Sequence, residues 1–206
     1  MSFITTVLRK DTFNTTTWSG GTTTELLIHP SHSTYNSRNF NWRISSAKVE
    51  IEESTFTYLP NIWRKLMVIE GEALLSHENH YDVLLSPFKQ DSFSGDWTTK
   101  SKGKITDFNL MTAKGYTGTL EAISLCNNDT TIISVRRPTF TKDYKEVVSV
   151  IYCPFGNIEF VNESSILNSG DLIYIHGEYD KEDFYINLRN LSSTENKVIL
   201  VTIYNE

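Results

Sequence analysis

The sequence predicts an all-β protein folded as a sandwich or a barrel. Three observations lead there. Threonine, tyrosine, phenylalanine, isoleucine and valine recur in alternating polar and apolar positions, the period of a half-buried strand. Clusters of Gly, Asn, Asp, Ser and Pro punctuate these stretches as turns. No segment keeps a helical apolar period through three turns, and only residues 141–145 read as a short helix.

The elements follow in chain order. Residues 41–49 alternate, so Trp42, Ile44 and Ser46 face one way and Arg43, Ser45, Ala47 and Val49 the other. Residues 62–69 put Arg64 on one row with Ile62, Leu66 and Val68. Glu70-Gly71 is a turn into a second short strand, and Ser94-Gly95-Asp96 is another turn. Asp107, Asn109 and Met111 share one strand face. Residues 119–125, 131–135, 146–153 and 197–204 read as strands, separated by turns at Asn127-Asn128-Asp129, Ser169-Gly170-Asp171 and residues 190–196.

Composition narrows the function classes. The 206 residues suffice for one large β domain or two small fused ones. A net charge of −6, with the basic residues dispersed apart from short pairs such as Arg9-Lys10 and Arg136-Arg137, argues against a nucleic-acid partner. Two cysteines, Cys126 and Cys153, do not make a disulfide framework. The apolar run before Arg9-Lys10 is too short for a signal segment and its charges lie on the wrong side. No apolar run approaches ~18 residues, so no membrane partner is expected. The expectation is a soluble cytoplasmic protein.

A loose internal repeat follows from the same patterns. Val68 to Leu75 with Val83 to Pro87 resembles Ile151 to Phe160 with Ser165 to Ile175. Each copy runs strand, Gly turn, strand, turn. The Gly170-Asp171 hairpin before a final strand resembles the cupin barrel, and two copies imply a bicupin. The expected division is a first cupin over about residues 1–114 and a second over about 115–206.

The polar residues inside core-like strands are the functional signal. Arg43 and Ser45 lie on a row with Ala47 and Val49, and Arg64 on a row with apolar neighbours. An arginine on an apolar row snorkels, pairs with an acid or holds an anion. Guanidinium forks match carboxylates, so two arginines in one lumen suit a small carboxylate ligand. The competing reading is an internal salt-bridge network using Glu25, Asp96 or Asp107.

Five blocks appear in order: Trp18-Ser19-Gly20-Gly21-Thr22-Thr23, Trp42-Arg43-Ile44-Ser45, Arg64 shortly after Pro60, Phe93-Ser94-Gly95-Asp96, and Asp107-Phe108-Asn109-Leu110-Met111. This ordered set resembles the HutD/Ves family. From about Gly115 onward only the cupin-like layout is similar. The chain departs from the family pattern at Asn61-Ile62-Trp63, where Pro-Gly and an Asp before the Arg are usual, and at Thr57, which replaces a serine but keeps a hydroxyl. The resemblance implies a single bicupin unit over residues 1–206 in a bacterial protein without a catalytic metal or other cofactor. It implies a sensor or modulator tied to histidine utilisation or to stress. Its ligand would be an anion of the urocanate, formiminoglutamate or formylglutamate class. The expected ligand-binding residues are Arg43, Ser45, Arg64, Thr57, Asn109, Asp96, Trp18 and Thr22, and the reading leaves room for a homodimer.

Other chemistries have weaker signals. Metal-binding cupins use His-x-His with a downstream Glu and His. Here His29 and His32, and His77 and His80, are three apart in loop-like segments, and surface positions are expected for them. Neither cysteine has a nameable base nearby. A metal-independent isomerase or hydrolase using Asp96, Asp107 or Glu25 as acid or base is the enzymatic alternative.

Overall fold

The computed structural model describes residues 3–135, 147–177 and 184–205. The Arg136-Arg137 pair, the short helix expected over residues 141–145 and the first residue of the 146–153 strand lie outside the described residues.

The chain opens with β1 (Ile4–Leu8) and a 3-10 turn (Lys10–Thr12). It continues through β2 (Asn14–Trp18), β3 (Gly21–His29), β4 (Trp42–Val49), β5 (Glu53–Thr55), β6 (Ile62–Gly71), β7 (Ala73–His77), β8 (Tyr81–Leu85), β9 (Gln90–Ser94), β10 (Thr99–Lys102) and β11 (Ile105–Ala113). The remaining strands are β12 (Tyr116–Leu125), β13 (Thr130–Val135), β14 (Val147–Tyr152), β15 (Ile158–Phe160), β16 (Ser165–Leu167), β17 (Leu172–His176), β18 (Phe184–Asn190) and β19 (Asn196–Asn205). Among the described residues no helix is long and apolar enough to cross a membrane.

Two compact units result, and each is built from two sheets. The first, Phe13–Thr117, has a six-stranded sheet in the order β2-β3-β4-β11-β6-β9 and a four-stranded sheet β5-β10-β7-β8. The second, Met1–Thr12 with Gly118–Glu206, has a five-stranded sheet β1-β17-β14-β19-β12 and a four-stranded sheet β13-β18-β15-β16. Shifting the strand numbers by eight turns β5-β10-β7-β8 into β13-β18-β15-β16 and β9-β6-β11-β4 into β17-β14-β19-β12. The repeat is thus expressed in strand order.

The opening residues sit with the second unit, not with the first as the 1–114 division had it. β1 pairs antiparallel with β17, Ile4 opposite His176 and Leu8 opposite Leu172. The Gly170-Asp171 hairpin helps fasten it. Asp171 is buried and accepts hydrogen bonds from the Lys10 backbone N–H (3.0 Å), the Asn168 N–H (2.9 Å) and Arg9 Nη1 (2.8 Å). Burial pushes the Asp171 carboxyl up, but these donors outweigh it and hold the group below the usual carboxylate range.

The interiors differ. Among the described residues, the second unit's interior includes a largely aliphatic cluster with Leu125, Ile151, Ile158, Phe160, Leu188, Val198 and Leu200. The first unit holds two separate clusters, one around Leu66, Val68, Leu75 and Phe93, the other around Phe40, Leu59, Ile62 and Met111.

Candidate functional site

Strand register explains how the first unit gathers polar side chains. Residues directly opposite on antiparallel strands share a face. Across β4, β11, β6 and β9 one inner row reads Arg43, Met111, Arg64, Phe93. The next reads Ser45, Asn109, Leu66, Asp91, with Glu25 of β3 opposite Ser45. A third reads Thr23, Ala47, Asp107, Val68. From these rows Arg43, Met111, Arg64, Ser45, Asn109, Thr23, Ala47 and Asp107 line a cavity of about 430 Å³, closed further by Tyr35, Asn36 and the segment from Ser54 to Thr57. That volume suits a small metabolite.

The two arginines have different partners. Arg43 is 5% exposed; its Nε donates to Glu25 Oε2 at 2.7 Å and its Nη1 to Ser45 Oγ at 2.9 Å, with the Tyr35 ring 4.5 Å from its guanidinium carbon. It has an acid, as the salt-bridge reading required. Arg64 is 6% exposed and has none. Among the described residues no carboxylate forms an ion pair with it, and its buried Nε has no hydrogen-bond partner. Its guanidinium lies over Phe56 and Phe93, with centroids at 4.6 and 5.3 Å. Ring contacts cover the guanidinium face and leave its in-plane N–H groups unspent. Burial lowers the Arg64 pKa to about 10, against the pull of Tyr35 and Asp107, so it remains cationic at neutral pH.

Asp107 and Asn109 share the lining. Asp107 is 5% exposed, and burial raises its pKa to about 7, although Arg64 and the Ala47 backbone N–H draw it down. A carboxyl at that value can hold or release a proton near neutrality. Asn109 is 4% exposed and its Oδ1 has no partner.

Six of the eight expected residues line this cavity: Arg43, Ser45, Arg64, Thr57, Asn109 and Trp18. Asp96 and Thr22 do not. Asp96 sits in an exposed turn and accepts a hydrogen bond from Ser94 Oγ at 3.0 Å. Gly95 is the reason that turn exists, since a Cβ there would sit 2.3 Å from the Leu59 carbonyl oxygen. Its N–H donates to Ile62 O (2.7 Å) and its carbonyl accepts from Leu59 N–H (2.8 Å). The Phe-Ser-Gly-Asp block therefore braces the start of β6, the strand that carries Arg64. Thr22 alternates with Thr23, which lines the cavity, so Thr22 projects from the other face of β3. In the departing turn before Arg64, Asn61 takes φ 62°, the left-handed conformation that Gly and Asn adopt most readily.

Several lining residues had no place among the expected eight. Asp107 lies on the Asn109 face of β11, and the sequence offers it as a salt-bridge partner or an acid–base group rather than as one of the eight ligand-binding residues. Phe56 directly precedes Thr57 and lines the cavity with it. Tyr35 lies in the loop between β3 and β4, where alternation gives no signal.

Histidine placement also needs correction. His77 is 2% exposed, not at the surface. It follows Ala73 and Leu75 on the inner face of β7; its Nε2 donates to Asp91 Oδ2 and its Nδ1 bonds to Thr99 Oγ1, both at 2.8 Å. Among the described residues no group of three or more His, Cys, Asp and Glu could hold a metal ion. Cys153 is buried, which pushes its thiol up to about 12.

Comparison with known proteins supplies the family and the fold. The HutD family model matches residues 10–184. The structure of HutD from Pseudomonas fluorescens SBW25 (formate condition) superimposes with a TM-score of 0.73 at 18% identity, over 98% of this chain and 100% of that one. A conserved protein of unknown function from Pseudomonas aeruginosa PAO1 gives 0.76 at 18% identity over the same shares. The bacterial pirin YhhW from Escherichia coli, in complex with nickel(II), gives 0.65 at 9% identity, over 98% of this chain and 99% of that one. The fold is cupin-type and doubled, as the sequence predicts.

Proposed function

This chain belongs to the HutD family, and from that premise we propose that its first unit binds a small carboxylate metabolite and acts as a sensor or modulator. The observation that carries the proposal is Arg64, a buried cation that faces a cavity and, among the described residues, forms no ion pair with an acid. Keeping an unpaired guanidinium out of water costs stability, and an anionic ligand offsets that cost. In-plane N–H groups held by two aromatic rings match a carboxylate fork. Arg43, already bound to Glu25, shapes the wall beside it. The family name ties the proposal to histidine breakdown, whose anionic intermediates of the urocanate, formiminoglutamate and formylglutamate class are the first ligands to test.

A thermal-shift and calorimetric screen of those acids tests the reading. A ligand should bind, and Arg64→Met should weaken it by roughly 2–4 kcal/mol, the strength of a desolvated charge-assisted contact. Binding that ignores Arg64→Met would overturn the proposal.

A metal-independent enzyme is the second reading, favoured by Asp107, whose raised pKa suits an acid or base in the same cavity. Chemical change of a bound ligand on incubation, lost in Asp107→Asn, would select it over sensing.

A further inference from the structure

We infer that an anion enters the first-unit cavity together with a proton, which Asp107 takes up, so that the site holds its ligand less tightly as pH rises. This coupling rests on the carboxylate reading of the site and adds its regulation.

The cavity encloses a buried acid and a buried cation without joining them. Among the described residues that line it, Asp107 is the only carboxyl. Its cross-strand neighbours are Ala47 on β4 and Val68 on β6, so the register gives it no cation. Arg64 stands on the same sheet face two rows away, opposite Met111, and the row between holds Asn109 and Leu66. Among the described residues Asp107 and Arg64 form no ion pair with each other. The remaining charged and titratable groups of this space are Arg43 on β4, held by Glu25 of β3 at 2.7 Å, and Tyr35 of the β3–β4 loop, whose ring lies against Arg43 and whose hydroxyl acts on Arg64. The lining residues of β2 and of the segment 54–57 carry no ionisable group.

Burial disfavours the ionised form of Asp107 and the field of Arg64 favours it, and the balance leaves the carboxyl at about 7. An anion on Arg64 cancels that field and brings a second negative charge into the same enclosure. Two carboxylates in a low-dielectric space repel, so the pair retains one proton. The proton stays on Asp107, because the ligand's carboxylate has the guanidinium and Asp107 does not. Protonation also gives this wall an O–H donor where a carboxylate only accepts. Asn109, on the row between, has a buried Oδ1 with no partner, an acceptor that suits such a donor. The sign of the pH dependence follows. The complex holds more protons than the free protein, so affinity falls as pH rises above about 7 and levels off on the acid side.

Formylglutamate is the probe, since neither of its carboxyls titrates near neutrality. Calorimetric titration of the full chain, in two buffers that differ in heat of protonation, counts the protons taken up. Roughly half a proton or more should be absorbed near pH 8 and little near pH 6, and affinity should fall at least about fivefold from pH 6 to pH 8.5. Asp107→Asn should abolish both effects. In the unaltered protein the Asp107 carboxyl carbon, followed by NMR, should titrate at higher pH once formylglutamate saturates the site, so a misfolded variant would not protect the idea. Binding without proton uptake, and with affinity level up to about pH 8.5, would overturn the coupling and leave the carboxylate reading standing. Uptake that persists in Asp107→Asn would place the proton elsewhere and overturn the coupling as well. Failure of both formylglutamate and acetate to bind in the millimolar range would overturn the carboxylate reading and the coupling together.

Discussion

In the second unit, β12, β14 and β19 contribute Leu125, Ile151, Val198 and Leu200 to one continuous aliphatic cluster. In the first unit, the strands at the same places in the sheet order, β4, β6 and β11, contribute Arg43, Arg64, Asp107 and Asn109 to a cavity. The same strand order therefore tolerates either interior. Nothing in the topology demands buried charge, and the second unit demonstrates the cheaper solution. Polar residues in the first unit cost desolvation that an aliphatic interior avoids. Such local violations of good packing concentrate where a protein binds or reacts.

The largest expected effect tests the packed half. Phe160 is fully buried in the second unit's cluster, so Phe160→Ala should cost about 3–5 kcal/mol in chemical denaturation. Met111→Ala removes a side chain that already borders the first-unit cavity, and should fall near the low end of its class, about 2 kcal/mol. Equal losses at the two positions would break the contrast between a filled and an open interior.

Next in size is the pH dependence of Asp107. Its carboxyl titrates at about 7 in the folded chain against an ordinary 3.8. Between those values the native state holds a proton that the unfolded chain has released, so this group makes stability fall as pH rises through the window. Below it the effect is absent, and above it the effect is complete, on the order of a few kcal/mol. Asp107→Asn should flatten that decline and leave the variant more stable than the parent on the alkaline side. Urea midpoints measured from acid to mildly alkaline pH check the slope. An unchanged slope would mean that water or Arg64 keeps the carboxylate charged.

Much of this contrast was legible in the sequence, and the reason is alternation. The period-two pattern over residues 41–49 and 62–69 put Arg43, Ser45 and Arg64 on inward rows, and β4 and β6 keep those rows. Turn chemistry located the Gly95 and Gly170 hairpins. Three things escaped for physical reasons. Alternation assigns a residue to a face but does not pair it, so Glu25, Asp96 and Asp107 stood as equal partners for the arginines until register put Glu25 beside Arg43. Loop residues such as Tyr35 have no period to read. Polarity suggested exposure for His77, whereas its Asp91 and Thr99 partners let it lie inside.

Arg43→Met sharpens the contrast within the cavity. It would leave Glu25 without its cation and Ser45 without its donor. Glu25 keeps 28% of its side chain exposed, so water compensates in part. The expected loss is about 1–2 kcal/mol, below the ~3–5 kcal/mol seen when a fully buried pair is broken. A neutral or stabilising result would put Arg43 in the same class as Arg64.

The smallest expected change in stability, and the most telling, is at Arg64. Its charge is desolvated, and among the described residues no acid forms an ion pair with it and its Nε has no partner. Methionine keeps an unbranched side chain of similar reach, and its thioether packs well against the Phe56 and Phe93 rings that now cover the guanidinium. Replacing an unsatisfied buried cation by a packed apolar group relieves a desolvation penalty, while the weak attraction between Arg64 and Asp107 is lost. These terms oppose each other, so Arg64→Met should leave stability unchanged or raise it by up to ~1 kcal/mol in the ligand-free protein. Loss of more than ~2 kcal/mol would mean that Arg64 supports Asp107 structurally, as one partner in an internal charge network. The double variant with Asp107→Asn separates the two. A structural pair would show strong coupling between the substitutions, whereas a cation held for a ligand would show nearly additive effects.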